Sequence, residues 1–327
     1  MGRKYCVRLQ HDGNGWAYSK RCLALQKYAP DDFDVSIGAW HIGPNKDPWP
    51  DERWDLVLQL VPDHPNVRAA LDARGMTDTI LVAGLNVGYA HSRERLRMCS
   101  DQTDHIVVNN YGCYDALGKP EGMTHISNGV DLETYRVTIP PAKRRPRVLW
   151  LGGKYHCAGP GQKGTSIKGW HEILLPLADK LVKWGIEVDF CQVESLKPKP
   201  GEIMDAEALV EFYNSGTIYV CASSSEGTPN PALEAAACGC VVVSTRVGNM
   251  MELIDDGLNG CLVDRTTDSM TTASLLATIL HCHRMPGRIA EMASAMREEI
   301  QSWHWKERSK QYFRLFRELI GRGRKKL

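Results

Sequence analysis

The sequence predicts an α/β protein made of two doubly wound domains, each around a parallel sheet. Three observations carry that expectation. Short runs of β-branched and apolar residues alternate with helical stretches, the pattern of parallel sheet covered by helices on both faces. The 327 residues suffice for two domains, each with its own core. A polar, proline-rich stretch, Pro140-Pro141-Ala142-Lys143-Arg144-Arg145-Pro146, interrupts the alternation near the middle and sets residues 1–140 apart from the second half.

In chain order, Tyr5–Leu9 reads as the first strand, and a helical pattern runs to about Tyr28. Between them lies His11-Asp12-Gly13-Asn14-Gly15-Trp16-Ala17, whose Gly-x-Gly turn suits the ligand edge of a doubly wound domain but is not a full dinucleotide fingerprint. Asp32-Phe33-Asp34 follows Pro30 and precedes the strand Val35–Ile37, so it reads as a solvated turn. Leu56–Val61, Thr79–Leu85 and Asp104–Asn109 are strands by composition; Asn66–Arg74 and Ser92–Met98 are helical. In the second half, Arg147–Leu151 and Ile186–Val193 are strands, and Asp205–Tyr213 is a helix. Thr271–Leu280 and Arg288–Ser302 are helical, and Trp303–Ile320 reads as an amphipathic terminal helix through Trp305, Tyr312, Phe313 and Phe316.

The stretch Thr217–Val263 organises the rest. Thr217–Ala222 is a buried strand that empties into Ser223-Ser224-Ser225-Glu226-Gly227-Thr228, small polar residues suited to a backbone that approaches a ligand. Asn230 is an expected N-cap, Pro231 a first helical residue and Gly239 the stop, after which Val241–Ser244 is another strand. A helix N-terminus aimed into such a loop favours phosphate oxygens. Glu226 and Glu234 bracket the helix start, and a carboxylate can receive vicinal hydroxyls in a fork. In isolation the pair would read as a solvated loop residue and a partner of the helix dipole.

The pair does not come alone. Glu226-x7-Glu234, with Gly227, Pro229, Leu233-Glu234-Ala235, Ala237 and Gly239, then Val241–Val243, Ser244, Gly248, Glu252-Leu253-Ile254, Gly257 and Asn259-Gly260, resembles the family 4 retaining glycosyltransferases of the GT-B fold. Cys240 stands where that family usually has proline. The likeness is strong in the second half and weak in the first, where Ile126-Ser127-Asn128-Gly129-Val130-Asp131 is similar to the segment that closes the family's N-terminal domain. It implies two Rossmann-like domains facing a cleft, residues 1–140 joined by 303–327 on the acceptor side and residues 141–302 on the donor side, the last helix crossing back onto the first domain.

The resemblance also implies roles. Glu226 would hold the donor sugar and Glu234 the ribose. Lys154, in place of the family's Arg, and Lys168 would face the diphosphate; Lys168-Gly169 fits the following helical spacing better than Lys163-Gly164. Gly13, Asn14, Gly15, Gly153, Gly227, Thr228, Pro229 and Asn230 would complete the donor site, with backbone N–H groups around Gly227–Asn230 facing the diphosphate. The family's usual N-terminal histidine is replaced by Asn86, leaving His11, His91, Trp16 and Asn86 as acceptor-side candidates. Asp32-Phe33-Asp34 matches the metal motif of the other glycosyltransferase fold only superficially; no metal and no cofactor is expected. The implied activity is transfer of a sugar from a nucleotide diphosphate sugar, a UDP-sugar favoured, to an acceptor hydroxyl. The rivals are a sugar-nucleotide epimerase and a non-catalytic nucleotide-sugar binding protein on the same fold.

The formal net charge of +1 gives no general pull to nucleic acid or anionic membrane. Yet Lys143-Arg144-Arg145-Pro146-Arg147, the basic tail and Trp16, Trp40, Trp49 and Trp54 keep a hydroxymethylated base in DNA among the acceptor candidates, beside a glycan, a small molecule and a lipid-linked sugar. Eleven cysteines without a Cys-x-x-Cys pair read as small core residues in a reducing, cytoplasmic compartment, and His281-Cys282-His283 lacks a partner cluster for a metal. The N-terminus shows no signal-peptide or myristoylation pattern, and no stretch approaches the length of a membrane span.

Overall fold

The computed structural model describes residues 3–11, 17–39, 52–60, 67–85, 99, 101–152, 167–192 and 205–323. They form two compact units, one of Met1–Gly129 with Trp305–Leu327, the other of Val130–His304.

In the first unit β1 (Tyr5–His11), β2 (Phe33–Ala39), β3 (Leu56–Gln59), β4 (Ile80–Leu85), β5 (His105–Val108) and β6 (Met123–His125) make one sheet in the order β2-β1-β3-β4-β5-β6, every pairing parallel. Helices α1 (Ala17–Lys27), α2 (Val67–Ala73) and α3 (Tyr111–Ala116) connect them. Strands β3, β4 and β5 are buried at every position, as continuous apolar runs covered on both faces should be. Neither α3 nor β6 is expected from sequence. Asn110, which reads as a strand end, is the N-cap of α3, its side chain accepting the Cys113 amide at 2.7 Å. Both elements are too short for periodicity to reveal. Trp54 is buried among Val57, Val67, Leu71, Met76 and Leu81, so it is a core residue and not a stacking surface.

The second unit holds β7 (Arg147–Gly152), α4 (Leu175–Lys183), β8 (Glu187–Gln192), α5 (Ala206–Asn214), β9 (Ile218–Cys221), α6 (Asn230–Ala237), β10 (Val241–Thr245), α7 (Met250–Leu253), β11 (Cys261–Val263), α8 (Asp268–His283) and α9 (Pro286–Glu299). Its sheet runs β11-β10-β9-β7-β8, again wholly parallel. Strand order reverses between β7 and β9. In a doubly wound sheet the loops leaving the carboxyl ends of such a pair diverge to opposite faces and open a crevice.

The last helix, α10 (Trp305–Arg322), belongs to the first unit. Its apolar face buries Trp305, Tyr312, Phe313, Phe316 and Leu319 in one cluster with Leu9, Val35 and Leu58. Arg317 donates to both oxygens of Asp32, at 2.7 Å each, and lies 5.0 Å over the Phe33 ring. Hydrogen bonding to that guanidinium holds the Asp32 carboxyl below its usual range. Asp32 lies in the solvated turn that the sequence suggests and also anchors α10, while Phe33 already begins β2.

The units divide at Gly129, earlier than the proline-rich stretch suggests. Arg144 ties the proline-rich stretch itself to the second unit. It is buried in the second unit, where its guanidinium donates to the carbonyls of Ile139, Gly216 and Cys238 at 2.8, 3.2 and 2.6 Å and to Asn214 Oδ1 at 2.7 Å. A stretch tied so closely to one core is not a linker. Within the basic run Arg144 is buried, whereas Lys143 and Arg145 are exposed; Arg145 and Arg147 both pair with Glu187.

Arg144→Ala should leave several buried acceptors without donors, at about 1–3 kcal/mol for each group left unpaired. Arg145→Ala removes only an exposed pair, worth about 0–1 kcal/mol. Urea unfolding of the two variants should show a large fall in midpoint for the first and almost none for the second. Equal midpoints would mean that Arg144 does not hold the unit together.

Candidate functional site

At the reversal of strand order, the segment following β7 and the loop following β9 meet. Four buried strand residues, Ile218–Cys221, deliver the chain to this loop. Its backbone is held from two sides. Ser224 donates its amide to the Ile167 carbonyl at 2.8 Å, on the side of the β7 segment. From the other side Thr245, at the end of β10, donates its hydroxyl to the Ser223 carbonyl at 2.7 Å, and the Asn249 amide reaches the Gly227 carbonyl at 3.2 Å. Two glycines make the approach possible. A Cβ on Gly169 (φ +69°) would stand 2.9 Å from the Ala222 carbonyl oxygen, and one on Gly248 (φ +49°) 2.4 Å from that of Gly227.

This frame brings together two residues that the sequence assigns separate tasks. The Lys168 ammonium donates to Glu226 Oε1, and Ser223 Oγ donates to the same oxygen at 2.7 Å. Both charged side chains are mostly covered, 20% exposed for Lys168 and 12% for Glu226. Burial by itself depresses the Lys168 ammonium; the Glu226 charge and its hydrogen bond outweigh that and hold the pKa above the usual lysine value. Lys168 carries its charge throughout the neutral range. Gly169 then opens a single π turn, Trp170–Leu174, in which the amides of Ile173 and Leu174 both reach the Gly169 carbonyl, and α4 continues from it. The helical spacing after Lys168-Gly169 is thus real.

Helix α6 starts one residue earlier than its sequence signals suggest. Asn230 is the first helical residue, with Pro229 at the cap position, and its amide turns back onto the Thr228 carbonyl at 2.9 Å. That N–H is spent and does not point at a ligand. The Thr228 hydroxyl accepts from the buried Asn249 side chain at 3.0 Å. The far end follows expectation: Gly239 (φ +87°) closes the helix, with its amide on the Ala236 carbonyl and the Cys240 amide on that of Ala235.

Glu234 is not in the first turn, and it is not a surface residue. It is 5% exposed and accepts from the Tyr213 hydroxyl at 2.9 Å, with a second hydrogen bond from Tyr135. Burial and then the Glu234 charge push both phenols far above their ordinary range, so both remain donors at any working pH. Neither tyrosine is singled out by sequence; the one available signal is that Tyr213 ends the helix feeding β9. Cys240, where the resembled family has proline, donates its thiol to the Tyr213 carbonyl at 3.1 Å. His11 ends β1 at the carboxyl edge of the first sheet and is buried. Gly13, Asn14, Gly15, Trp16, Asn86, His91, Gly153, Lys154 and Lys163 lie outside the described residues.

Residues 198–281 match the family described as Glycosyl transferases group 1. The D-inositol 3-phosphate glycosyltransferase of Acidothermus cellulolyticus is 35% identical over 102 residues, 31% of this chain and 22% of that protein. That of Saccharomonospora viridis is 29% identical over 180 residues, 55% of this chain and 36% of that one. The chain thus spans roughly a fifth to two fifths of the length of these curated relatives. Sucrose-phosphate synthase from Thermosynechococcus elongatus superposes with a TM-score of 0.69 at 15% identity, over 98% of this chain and 100% of that one. Anabaena Alr3699/HepE in complex with UDP-glucose gives a TM-score of 0.68 at 15% identity, over 96% and 100%. Such likeness shows the fold, two parallel-sheet α/β units of the GT-B kind.

The two carboxylates differ in what their loss does to folding. Glu234→Ala strands the Tyr213 hydroxyl in the core at about 1–3 kcal/mol, whereas Glu226→Gln keeps an acceptor for Lys168 and Ser223 in the loop. Thermal melts should show a clear drop for the first and a small change for the second. The reverse order would contradict the core position of Glu234.

Proposed function

We propose, from the match of residues 198–281 to Glycosyl transferases group 1 and from the GT-B fold, that the protein is a retaining glycosyltransferase of the family 4 kind that needs no metal. It moves a sugar from a nucleotide diphosphate sugar to an acceptor hydroxyl, with a UDP-sugar as the favoured donor. The observation that carries this reading is the Lys168–Glu226 pair at the divergence of the β7 and β9 loops. Glycosyl transfer of this kind passes through an oxocarbenium-like transition state, in which negative charge gathers on the departing diphosphate. A fixed ammonium beside that oxygen stabilises the charge where it develops, because it requires no reorganisation at the moment of reaction. Lys168 suits this role, with the Gly227 and Thr228 backbone beside it. Glu226 suits hydroxyls of the transferred sugar, since an ionised carboxylate only accepts hydrogen bonds. Glu234 takes the ribose. Activation by ammonium and backbone dipoles is the reason no metal is invoked.

The acceptor belongs to the same proposal at a coarser level. Glycan, small molecule, lipid-linked sugar and hydroxymethylated DNA all supply a hydroxyl, and the relatives' name adds a phosphorylated cyclitol. DNA has lost Arg144 as a phosphate contact, since that guanidinium is committed to carbonyl groups of its own unit.

Calorimetric titration with UDP, beside initial rates with radiolabelled UDP-sugars and those acceptors, tests the reading. Glu234→Gln should weaken UDP and donor alike by roughly ten- to a hundredfold, the cost of a charged hydrogen-bond partner. Glu226→Gln should leave UDP binding nearly unchanged and lower turnover. Turnover should survive EDTA. Loss of UDP binding in Glu226→Gln, with Glu234→Gln unaffected, would exchange the two assignments; isomerised donor without transfer would point to an epimerase.

A further inference from the structure

The ribose assignment of Glu234 does not explain why two phenols converge on one buried carboxylate. Tyr213 is fully buried in the last turn of α5 and donates to Glu234 Oε2 at 2.9 Å. Tyr135, in the segment that opens the second unit, shares a hydrogen bond with the same carboxylate. The Tyr213 ring is fixed in its turn. It meets Tyr135, Phe212 and Tyr219 edge-on, with centroids 6.3, 5.5 and 6.0 Å away. Tyr219 is itself tied to the end of β7, donating to the Leu151 carbonyl at 3.0 Å and accepting the Leu151 amide at 3.3 Å. A line of support therefore runs from the carboxyl end of β7 through Tyr219 and Tyr213 to Glu234.

An ionised carboxylate has about four acceptor sites, so two phenols orient it without exhausting it. Orientation matters because a vicinal diol donates in a fork whose two hydrogen bonds form together only if the carboxylate plane is already turned to receive them. A carboxylate left to rotate would lose that freedom on binding, and the loss would appear as weaker affinity. Resting on the assignment of Glu234 to the ribose, we infer that Tyr213 is a positioning residue which sets the Glu234 carboxylate to receive the ribose diol of the donor nucleotide. Tyr135, hydrogen-bonded to the same carboxylate, supports it as well.

The test compares UDP with 2′,3′-dideoxy-UDP, which keeps the base and diphosphate and lacks the diol. The full chain and its Tyr213→Phe variant are titrated calorimetrically with each. The parent should prefer UDP by more than about tenfold; Tyr213→Phe should lose roughly three- to tenfold for UDP and nothing for the dideoxy compound, so that the preference narrows. A tyrosine that served only to hold the fold would weaken both ligands together, and that outcome overturns the inference while leaving the donor reading intact. An unchanged preference overturns it in the same way. A parent that binds UDP with no preference over the dideoxy compound refutes the ribose role of Glu234, and with it this inference. Should Tyr213→Phe melt too low to titrate, Tyr135→Phe reads the same ratio and should narrow it in the same direction.

Discussion

The ion pair between Lys168 and Glu226 joins two segments that neighbouring strands deliver to one place. Its setting depends on the parallel sheet beneath it, because β7 and β9 are adjacent and Ile167 and Ser224, in the segments that follow them, are hydrogen-bonded. A largely covered lysine would be driven towards its neutral form by burial, and here the facing carboxylate reverses that tendency. Ser223 donates to the same carboxylate oxygen, so the charge on Glu226 is met by two donors. The two side chains are thus held against each other with little water around them. On the proposed reading a sugar nucleotide brings phosphate oxygens for the ammonium and hydroxyls for the carboxylate, and the groups that meet it are already oriented.

Holding that pair requires a backbone with almost no freedom. The loop after β9 is laced to the segment before α4 on one side and to the β10 loop on the other, at distances that leave no room for side chains at Gly169 and Gly248. Helix α6, which the loop enters, is only eight residues long and would not persist alone. It is stable because its apolar positions are buried and its last turn closes on Gly239. The Arg144 guanidinium then sits against the Cys238 carbonyl, where a cation suits the helix dipole. The same guanidinium binds Asn214 at the end of α5, so one side chain ties both helices that flank β9.

Three residues read from sequence as available to a ligand or solvent prove to be buried, and each changes a reading. Arg144 and Glu234 carry charges that favour the surface and Trp54 an aromatic face, yet all three find partners or packing inside. A buried Arg144 leaves the basic run one cation fewer for nucleic acid. A buried tryptophan leaves one aromatic face fewer for an acceptor. A buried glutamate separates the two carboxylates of the motif by environment: Glu226 faces a cation in a loop, whereas Glu234 faces two phenols in the core.

Local periodicity and chain punctuation carry most of this architecture. The apolar runs at Leu56, Thr79 and Thr217, the helical spacing after Lys168-Gly169 and the stop at Gly239 are properties of neighbouring residues, and the sequence by itself determines them. So is the strand–loop–helix–strand unit around Glu226, because its turn and cap residues act within a few positions of one another. The six-residue α3 and three-residue β6 escape such a reading, being too short to repeat their periods more than once. What tertiary structure decides is which groups meet. That Lys168 faces Glu226, that Tyr213 and Tyr135 hold Glu234, that Arg144 serves a core and that Arg317 ties α10 to Asp32 all depend on contacts between segments distant in the chain. No local preference specifies such a partner: a charged or phenolic side chain has the same composition signal exposed or buried, and only packing determines whether water or another residue satisfies it.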